Sequence, residues 1–149
     1  MKNIRKAKQQ DISRIAEILV FVKRINFYPI FQDDAYSFGE LQVLSLAKTY
    51  LENLELLDNI FVYDDGIVKG LICIEGKEIK KLYVDYFFEN QGIGGKLIEF
   101  AIEQFDVCYL WVLEKNIKAI SFYKRHGFND KGIWQYEEGT TERLLKLER

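Results

Sequence analysis

In 149 residues the sequence has one proline, one histidine, one methionine and two cysteines. A lone histidine without any CxxC pair excludes the common zinc spacings, so no metal is expected. Cys73 and Cys108 lie inside apolar runs. They read as buried free thiols of a reducing compartment and not as a disulfide framework. No apolar run approaches the length of a membrane span. The N-terminal MKNIRKAKQQD has no apolar centre and does not read as a signal peptide. An excess of positive charge is also missing, with 21 Lys and Arg against 23 Asp and Glu. The short basic pairs Lys80–Lys81 and Lys124–Arg125 have acidic neighbours, so no nucleic-acid partner is expected. No GxxxxGKS or GxxxxGKT occurs, and the glycines do not space as GxGxxG in an early βαβ unit, which excludes the common nucleotide loops. Repeats, linkers and low-complexity tracts are absent. The expectation is one cytoplasmic domain over residues 1–149 with no membrane partner.

Hydrophobic residues make up 48% and aromatics 15% of the chain, enough for a sizeable core. Asn3 to Lys8 reads as a short strand, with Asp11 as the cap of a helix whose face is Ile12, Ile15, Ile18, Leu19 and Val22. Pro29 argues against one continuous helix through the aromatic, acid-bearing stretch Arg24 to Glu40. Gly39 to Leu57 reads as a second amphipathic helix. Ile60 to Tyr63 and Ile67 to Ile74 form a hairpin across Asp64-Asp65-Gly66, and Glu75-Gly76-Lys77 turns into a third strand. That strand runs through Ile79, Leu82, Tyr83, Val84, Tyr86 and Phe87. By its two-residue period, Glu78, Lys80, Leu82 and Val84 share a face. Phe105 to Leu113 is a further buried strand and Ile117 to Arg125 a short helix stopped at Gly127. Phe128 to Tyr136 and Thr141 to Leu147 pair as a last hairpin.

The stretch Glu78 to Lys96, EIKKLYVDYFFENQGIGGK, organises the rest. Gly92, Gly94 and Gly95 precede a helix carrying Leu97, Ile98, Ala101, Ile102 and Phe105. A glycine-rich turn at a helix start presents free backbone N–H groups at the positive end of the dipole, which suits an anion such as phosphate. Lys96 adds a full charge. The same glycines also serve a turn that does nothing more.

The element order, with LYVDYFFENQGIGGKLI followed by NIKAISFYKRHGF, resembles the GNAT superfamily of acetyl-coenzyme A-dependent N-acetyltransferases. The likeness covers nearly the whole chain and is most specific from Glu78 to Phe128. The family's pyrophosphate signature is Gln or Arg, two residues, Gly, one residue, then Gly or Ala. It falls on Glu89-Asn90-Gln91-Gly92-Ile93-Gly94. Glu89 departs from it, and its side chain is expected to face solvent. Asn116, Ala119, Phe122, Tyr123, Gly127 and Phe128 match a second pattern of the family. The resemblance implies a mixed, mostly antiparallel α/β (α+β) sheet flanked by helices, with splayed central strands.

It also implies the chemistry. The pyrophosphate of acetyl-coenzyme A goes to Gln91, Gly92, Ile93, Gly94, Gly95 and Lys96. The pantetheine arm lies along Tyr83-Val84-Asp85, where the strand splays from Val107 to Val112. The Val84 N–H donates to the oxyanion. Tyr123 is the candidate general acid, because a phenol near ~10 can protonate a thiolate near ~8.5 without ionising at rest. Its alternative is a core tyrosine. Asn116 either bonds the cofactor arm or caps the next helix, or does both. Glu78 is the candidate base for the amine, or a solvated charge paired with Lys80. Glu75, Asp85, Asp33 and Asp34 are further candidates, as is ordered water. His126 reads as structural, and Trp111 and Trp134 as core or pocket wall. The acceptor is a small-molecule or peptide amine, bound by Arg24 to Glu40 and Trp134 to Thr141. Asp33, Asp34, Glu137 and Glu138 would suit a cation, and Phe27, Tyr28, Phe31 and Tyr36 an apolar or cationic group. The last strand offers a homodimer edge. A non-catalytic acyl-coenzyme A sensor is the alternative function.

Overall fold

The computed structural model describes residues 1–149. The elements run β1 (Ile4–Lys6), α1 (Ile12–Phe31), α2 (Val43–Glu52), β2 (Ile60–Asp64), β3 (Val68–Glu75), β4 (Glu78–Val84), α3 (Ile93–Phe105), β5 (Tyr109–Leu113), α4 (Ile117–Arg125), β6 (Asn129–Tyr136) and β7 (Arg143–Glu148). One sheet holds all seven strands in the order β1-β2-β3-β4-β5-β7-β6. Every neighbouring pair is antiparallel except β4 and β5, which are parallel. The expected mixed, mostly antiparallel sheet flanked by helices is therefore present. No helix is long and apolar enough to cross a membrane.

The two faces of the sheet carry two cores. Leu97, Ile98 and Ala101 of α3 pack with Ile72, Ile79, Leu110 and Phe128 on one face. Ile15, Ile18, Leu19 and Val22 of α1 pack with Val62, Leu71 and Cys73 on the other. Strand alternation sends successive residues to opposite faces, which explains why β3 supplies both cores. In β4 the alternation breaks. Cys73 pairs with Lys81 but Ile74 pairs with Ile79, so Lys80 is an extra, bulged residue. The bulge overturns the shared face expected for Glu78, Lys80, Leu82 and Val84. Leu82 and Val84 pack with the α3 core, whereas Tyr83 packs against the α1 core.

Several element boundaries also differ from the sequence reading. α1 runs unbroken from Ile12 to Phe31, with Pro29 inside it. Pro29 sits in the last turn, where it forfeits only one intrahelical bond. Gln32 then closes the helix in a left-handed conformation (φ 51), its N–H donating to the Tyr28 carbonyl at 2.8 Å. The second expected helix is three pieces: a π-turn over Ala35–Glu40, α2, and a 3-10 segment over Leu54–Asn59. Asn53 ends α2 because its side-chain amide donates back to the Thr49 carbonyl at 2.9 Å while its backbone leaves the helical region. Arg24 ties the π-turn to α1, donating to the carbonyls of Ser37 and Leu41, both at 3.0 Å. β4 ends at Val84, so Tyr86 and Phe87 belong to a 3-10 turn and are 56% and 83% exposed. α3 continues to Phe105, and β5 begins only at Tyr109. β7 lies inside the sheet between β5 and β6, so the last strand offers no free edge, contrary to expectation.

Asp11 does not cap α1 through its side chain. Its carboxylate accepts from the Lys8 N–H at 2.7 Å and from both terminal nitrogens of Arg5 at 2.8 and 2.9 Å. Arg5 also bonds Asp64 at 3.0 Å, so the cluster joins β1, the start of α1 and the end of β2. Arg5 holds the Asp11 carboxyl below its usual range, and the Gly66 N–H and then Arg5 do the same for Asp64. A depressed carboxylate stabilises the fold fully above its ordinary pKa and loses that contribution as pH falls through the folded value. Asp11→Asn should cost about 2 kcal/mol at pH 7, as expected for charge-assisted hydrogen bonds of a buried carboxylate. In urea unfolding the gap from the unmodified protein should narrow as pH drops below about 4. A pH-independent gap would refute this account.

Candidate functional site

β4 and β5 pair only at Glu78–Tyr109 and Ile79–Leu110. Beyond Ile79 the strands part. β5 is held on its far side by five residue pairs to β7, so it cannot follow β4. The Asp85 N–H donates to the Lys69 carbonyl at 2.9 Å, and Gly70 stands opposite Val84. In an antiparallel ladder this makes Gly70–Val84 a non-bonded pair, which turns the Val84 N–H away from β3 and into the gap. The expected splay is present.

The chain then leaves the sheet through a pinned turn. The Asp85 carboxylate accepts from the Phe87 N–H at 2.9 Å and from Arg14 of α1 at 2.7 Å. Each oxygen carries one of these bonds, which hold Asp85 to α1 and to its own turn and outside the cleft wall. Asn90 (φ 62) and Gly92 (φ 81) are left-handed, a conformation that glycine adopts freely and asparagine tolerates. They swing the chain into α3, which starts at Ile93 with no side-chain cap. The amides of its first turn therefore have no partner from the chain. Gly94 packs closely on α4: a Cβ there would lie 3.3 Å from the Phe122 ring, which would have to give by a few tenths of an ångström.

These parts border one cleft of about 630 Å³, within the usual range for small-molecule sites. Its wall includes Tyr83, Val84, Gly92, Ile93, Gly94, Gly95, Lys96, Asn116 and Tyr123. Among the residues expected to hold the cofactor or act as principal acid and base, only Gln91 and Glu78 are not in that wall; the further base candidates Glu75, Asp85, Asp33 and Asp34 lie outside it as well. Lys96 holds its ammonium 5.7 Å from the Tyr63 ring centroid. Asn116 caps α4, its side-chain oxygen accepting from the Ala119 N–H at 3.3 Å.

Glu78 lies at the closed end of the wedge. Tyr109 donates to it at 3.3 Å and Lys80 is 3.5 Å away. Glu78 raises the Lys80 pKa in return. Glu75 also pairs with Lys80, at 3.7 Å. Glu89, expected in solvent, instead pairs with Lys118 of α4 at 3.0 Å. That pairing offsets the negative charge beside the loop. Asp33 accepts from the Tyr36 N–H and Asp34 from the Tyr28 hydroxyl, so both expected acceptor-site acids are engaged locally. Trp134 lies 43% exposed with Arg143 4.2 Å from its ring, which makes it neither core nor cleft wall.

Burial alone pushes the Tyr123 phenol up from its ordinary pKa. Burial also raises Tyr83, followed by the nearby Tyr123, Tyr36, Tyr50 and Cys73. Both phenols line the cleft, and both stay protonated well into the alkaline range.

Asn26, Arg125 and His126 also face the cleft; the sequence reading reached Asn26 only within the acceptor stretch Arg24 to Glu40, took His126 as structural and assigned Arg125 no role. His126 stacks on Phe122 at 4.7 Å and approaches the position a Gly95 side chain would take. Its i,i+4 spacing from Phe122 was a readable signal. Asn26 had none, because it reaches the cleft only through the crossing of α1 over the sheet.

The family described as acetyltransferase (GNAT) domain matches residues 57–130. The chain is 26% identical over 148 residues to the peptidyl-lysine N-acetyltransferase YjaB of Salmonella typhimurium, covering 99% of this chain and 97% of that protein. The solution structure of apo-form YjaB from Escherichia coli superposes with a TM-score of 0.76 at 21% identity, over 97% of this chain and 95% of that one. The PaiA N-acetyltransferase of Thermoplasma acidophilum, solved in complex with coenzyme A, superposes with a TM-score of 0.67 at 18% identity, over 98% of each chain.

Gly92→Ala should cost about 1–2 kcal/mol, the price of a left-handed backbone for an L side chain. Chemical denaturation checks this, and a neutral substitution would contradict the turn geometry.

Proposed function

Since this chain belongs to the GNAT superfamily of acetyltransferases, we propose that it moves an acetyl group from acetyl-coenzyme A directly to an amine of a small molecule or peptide. The observation that carries this reading is the meeting of three features in one cleft. They are the uncapped start of α3, the unpaired N–H of Val84 and the phenol of Tyr123. The fit to the cosubstrate rests on the same features. Free amides at a helix start suit a pyrophosphate. Lys96, Arg125 and His126 in the same wall add donors or positive charge. An open strand edge suits an arm that carries its own amide groups.

Acetyl-coenzyme A supplies an acyl group activated as a thioester. The chain's part is to hold, polarise and move protons. The Ile93, Gly94 and Gly95 amides and Lys96 hold the phosphates. The Val84 N–H donates to the acyl oxygen as negative charge develops there. Overall a C–N bond forms and a C–S bond breaks. The nitrogen loses a proton and the sulfur gains one. Tyr123 gives that proton to the sulfur and recovers one from solvent. A thiol near ~8.5 is the stronger acid, so the phenol donates only as thiolate charge accumulates. The amine gives its proton to water. Asp85 is held by Arg14 and Phe87, and Glu78 is tied to Lys80 and Tyr109 at the far end of β4. The pairing of Glu89 with Lys118 lessens the repulsion that was one motive for a non-catalytic acyl-coenzyme A sensor.

Tyr123→Phe should lower kcat about 100-fold while coenzyme A affinity by calorimetry stays within about twofold. Glu78→Gln should stay within about threefold of the unmodified enzyme, since no proton passes through it. Because the Tyr123 pKa is raised, its proton-bearing form persists and kcat/KM should show no alkaline decline below pH ~10. A thiol-release assay over an amine panel reads all three. Full activity in Tyr123→Phe would remove it as the acid, and failure to bind acetyl-coenzyme A would end the transferase reading.

A further inference from the structure

We infer that the accepting amine is a lysine of a polypeptide that carries a bulky apolar side chain about three residues away, seated in a groove between α1 and the turn that follows β4. The inference deepens the transfer reaction proposed above and rests on it.

A second cavity, of about 650 Å³, lies beside the cleft. Its wall has three charged residues, Arg14, Glu17 and Asp85, and eight apolar or aromatic ones. Arg14 donates to Asp85 at 2.7 Å, to the Val68 carbonyl at 2.9 Å and to Glu17, so both acids already have a partner. What is left to meet a ligand is apolar. Phe21, Ile25, Ile67, Tyr86 and Phe87 stand 44–83% exposed there. The Tyr86 and Phe87 rings meet edge to face at 5.8 Å. The core accounts for Ile15, Ile18, Leu19 and Val22 of α1. Phe21 and Ile25, one turn apart, widen that stripe beyond what the sheet covers. Five large apolar side chains from three separate segments open to water around one groove, which marks a binding surface and not scattered exposure.

Two observations assign this surface to the acceptor. The first is continuity. Val22 and Phe88 line both cavities. They form the sill between the groove and the cleft that holds Val84 and Tyr123. The Phe88 N–H donates to the Asp85 carbonyl at 2.9 Å, which closes a tight turn. The ends of such a turn are within about 7 Å, and Val84 is one residue further, so Val84 and Phe88 are within about 11 Å. An extended peptide covers that distance in about three residues. The second observation is room. A cleft of about 630 Å³ suits one ligand of ordinary size, and acetyl-coenzyme A is larger than that. The acceptor beyond its amine therefore lies outside the cleft, and the adjoining groove is as large as the cleft itself. A lysine stem is unbranched and apolar, so it crosses the Val22–Phe88 sill with its amine leading while the backbone stays outside. Of the exposed groove residues only Ile25 belongs to the stretch Arg24 to Glu40, where the acceptor was expected.

The test uses N-acetylated peptides with one central lysine among glycines and serines. Phenylalanine stands three positions before the lysine, three positions after it, or nowhere. Calorimetry on the coenzyme A-saturated protein reads binding, and thiol release reads turnover. At least one phenylalanine peptide should bind and react about tenfold better than the serine peptide. Ile25→Ser and Phe87→Ser remove exposed side chains from α1 and from the turn. Each should shrink that preference below about threefold, through KM and not kcat, with coenzyme A affinity showing that the fold is intact. Equal use of the three peptides, a preference unmoved by both variants, or spermidine as the best acceptor would overturn the inference while leaving the transferase standing. So would a dimer in sedimentation that Phe87→Ser dissociates, because a second copy would then fill the groove. Absence of coenzyme A binding would instead fail the transferase reading. Calorimetry of the peptides on the protein alone would still decide the groove, and no discrimination there would end it too.

Discussion

Incomplete pairing of β4 with β5 is the constraint on which the site depends. Two ladder pairs at Glu78 and Ile79 anchor the strands, and then the sheet stops closing. Backbone N–H and C=O groups in a protein interior require partners, so a gap in the middle of a sheet is tolerated only where something else supplies them. Here the gap opens into the cleft that begins at α3. β7 holds β5 on its other side along its whole length, and α1 and α3 hold β4 from both faces. The wedge is therefore a property of the frame and does not wait on a ligand to form.

Charge around the wedge is arranged so that the reacting end stays neutral. The segment between β4 and α3 carries two acids, Asp85 and Glu89, and Lys118 pairs with Glu89. Asp85 is consumed by Arg14 and its own turn. The wall includes Leu82, Val84 and Phe122 beside Tyr83 and Tyr123, and desolvation keeps both phenols protonated. Hydrogen bonds made in such surroundings are stronger than in water. The proposed contribution of the Val84 N–H depends on that setting as much as on its direction.

The phosphate half of the cleft was legible because it is local and made of backbone. Three glycines ahead of an amphipathic helix announce free amides, and the Asn116-to-Phe128 pattern fixes the element packed beside them. The strand splay followed from the family resemblance. Misread boundaries have local physical causes that pattern cannot weigh. Pro29 falls in a last turn where it costs little, and Asn53 turns its side chain back on its own helix. The extra residue at Lys80 was invisible because a bulge depends on the register of the partner strand. Its effect is large: it separates Glu78 from Leu82 and Val84, and it moves Lys81 to the face where α1 lies.

The acceptor half was not legible because no single stretch contains it. Val22 and Asn26 come from α1 and Tyr83 from β4, and each looks like an ordinary core or surface residue in its own context. They become a set only when α1 crosses a sheet face whose identity was reset by one bulged residue. The division follows from what each half must do. A pyrophosphate and an amide-bearing arm are recognised by main-chain donors, whose placement is the fold itself. An acceptor is recognised by side chains, which can change without moving a strand. The wedge can therefore remain while the molecule it serves changes with the side chains around it, and an acidic surface loop is a poor guide to that molecule when its carboxylates are already bonded to the chain, as Asp33 and Asp34 are.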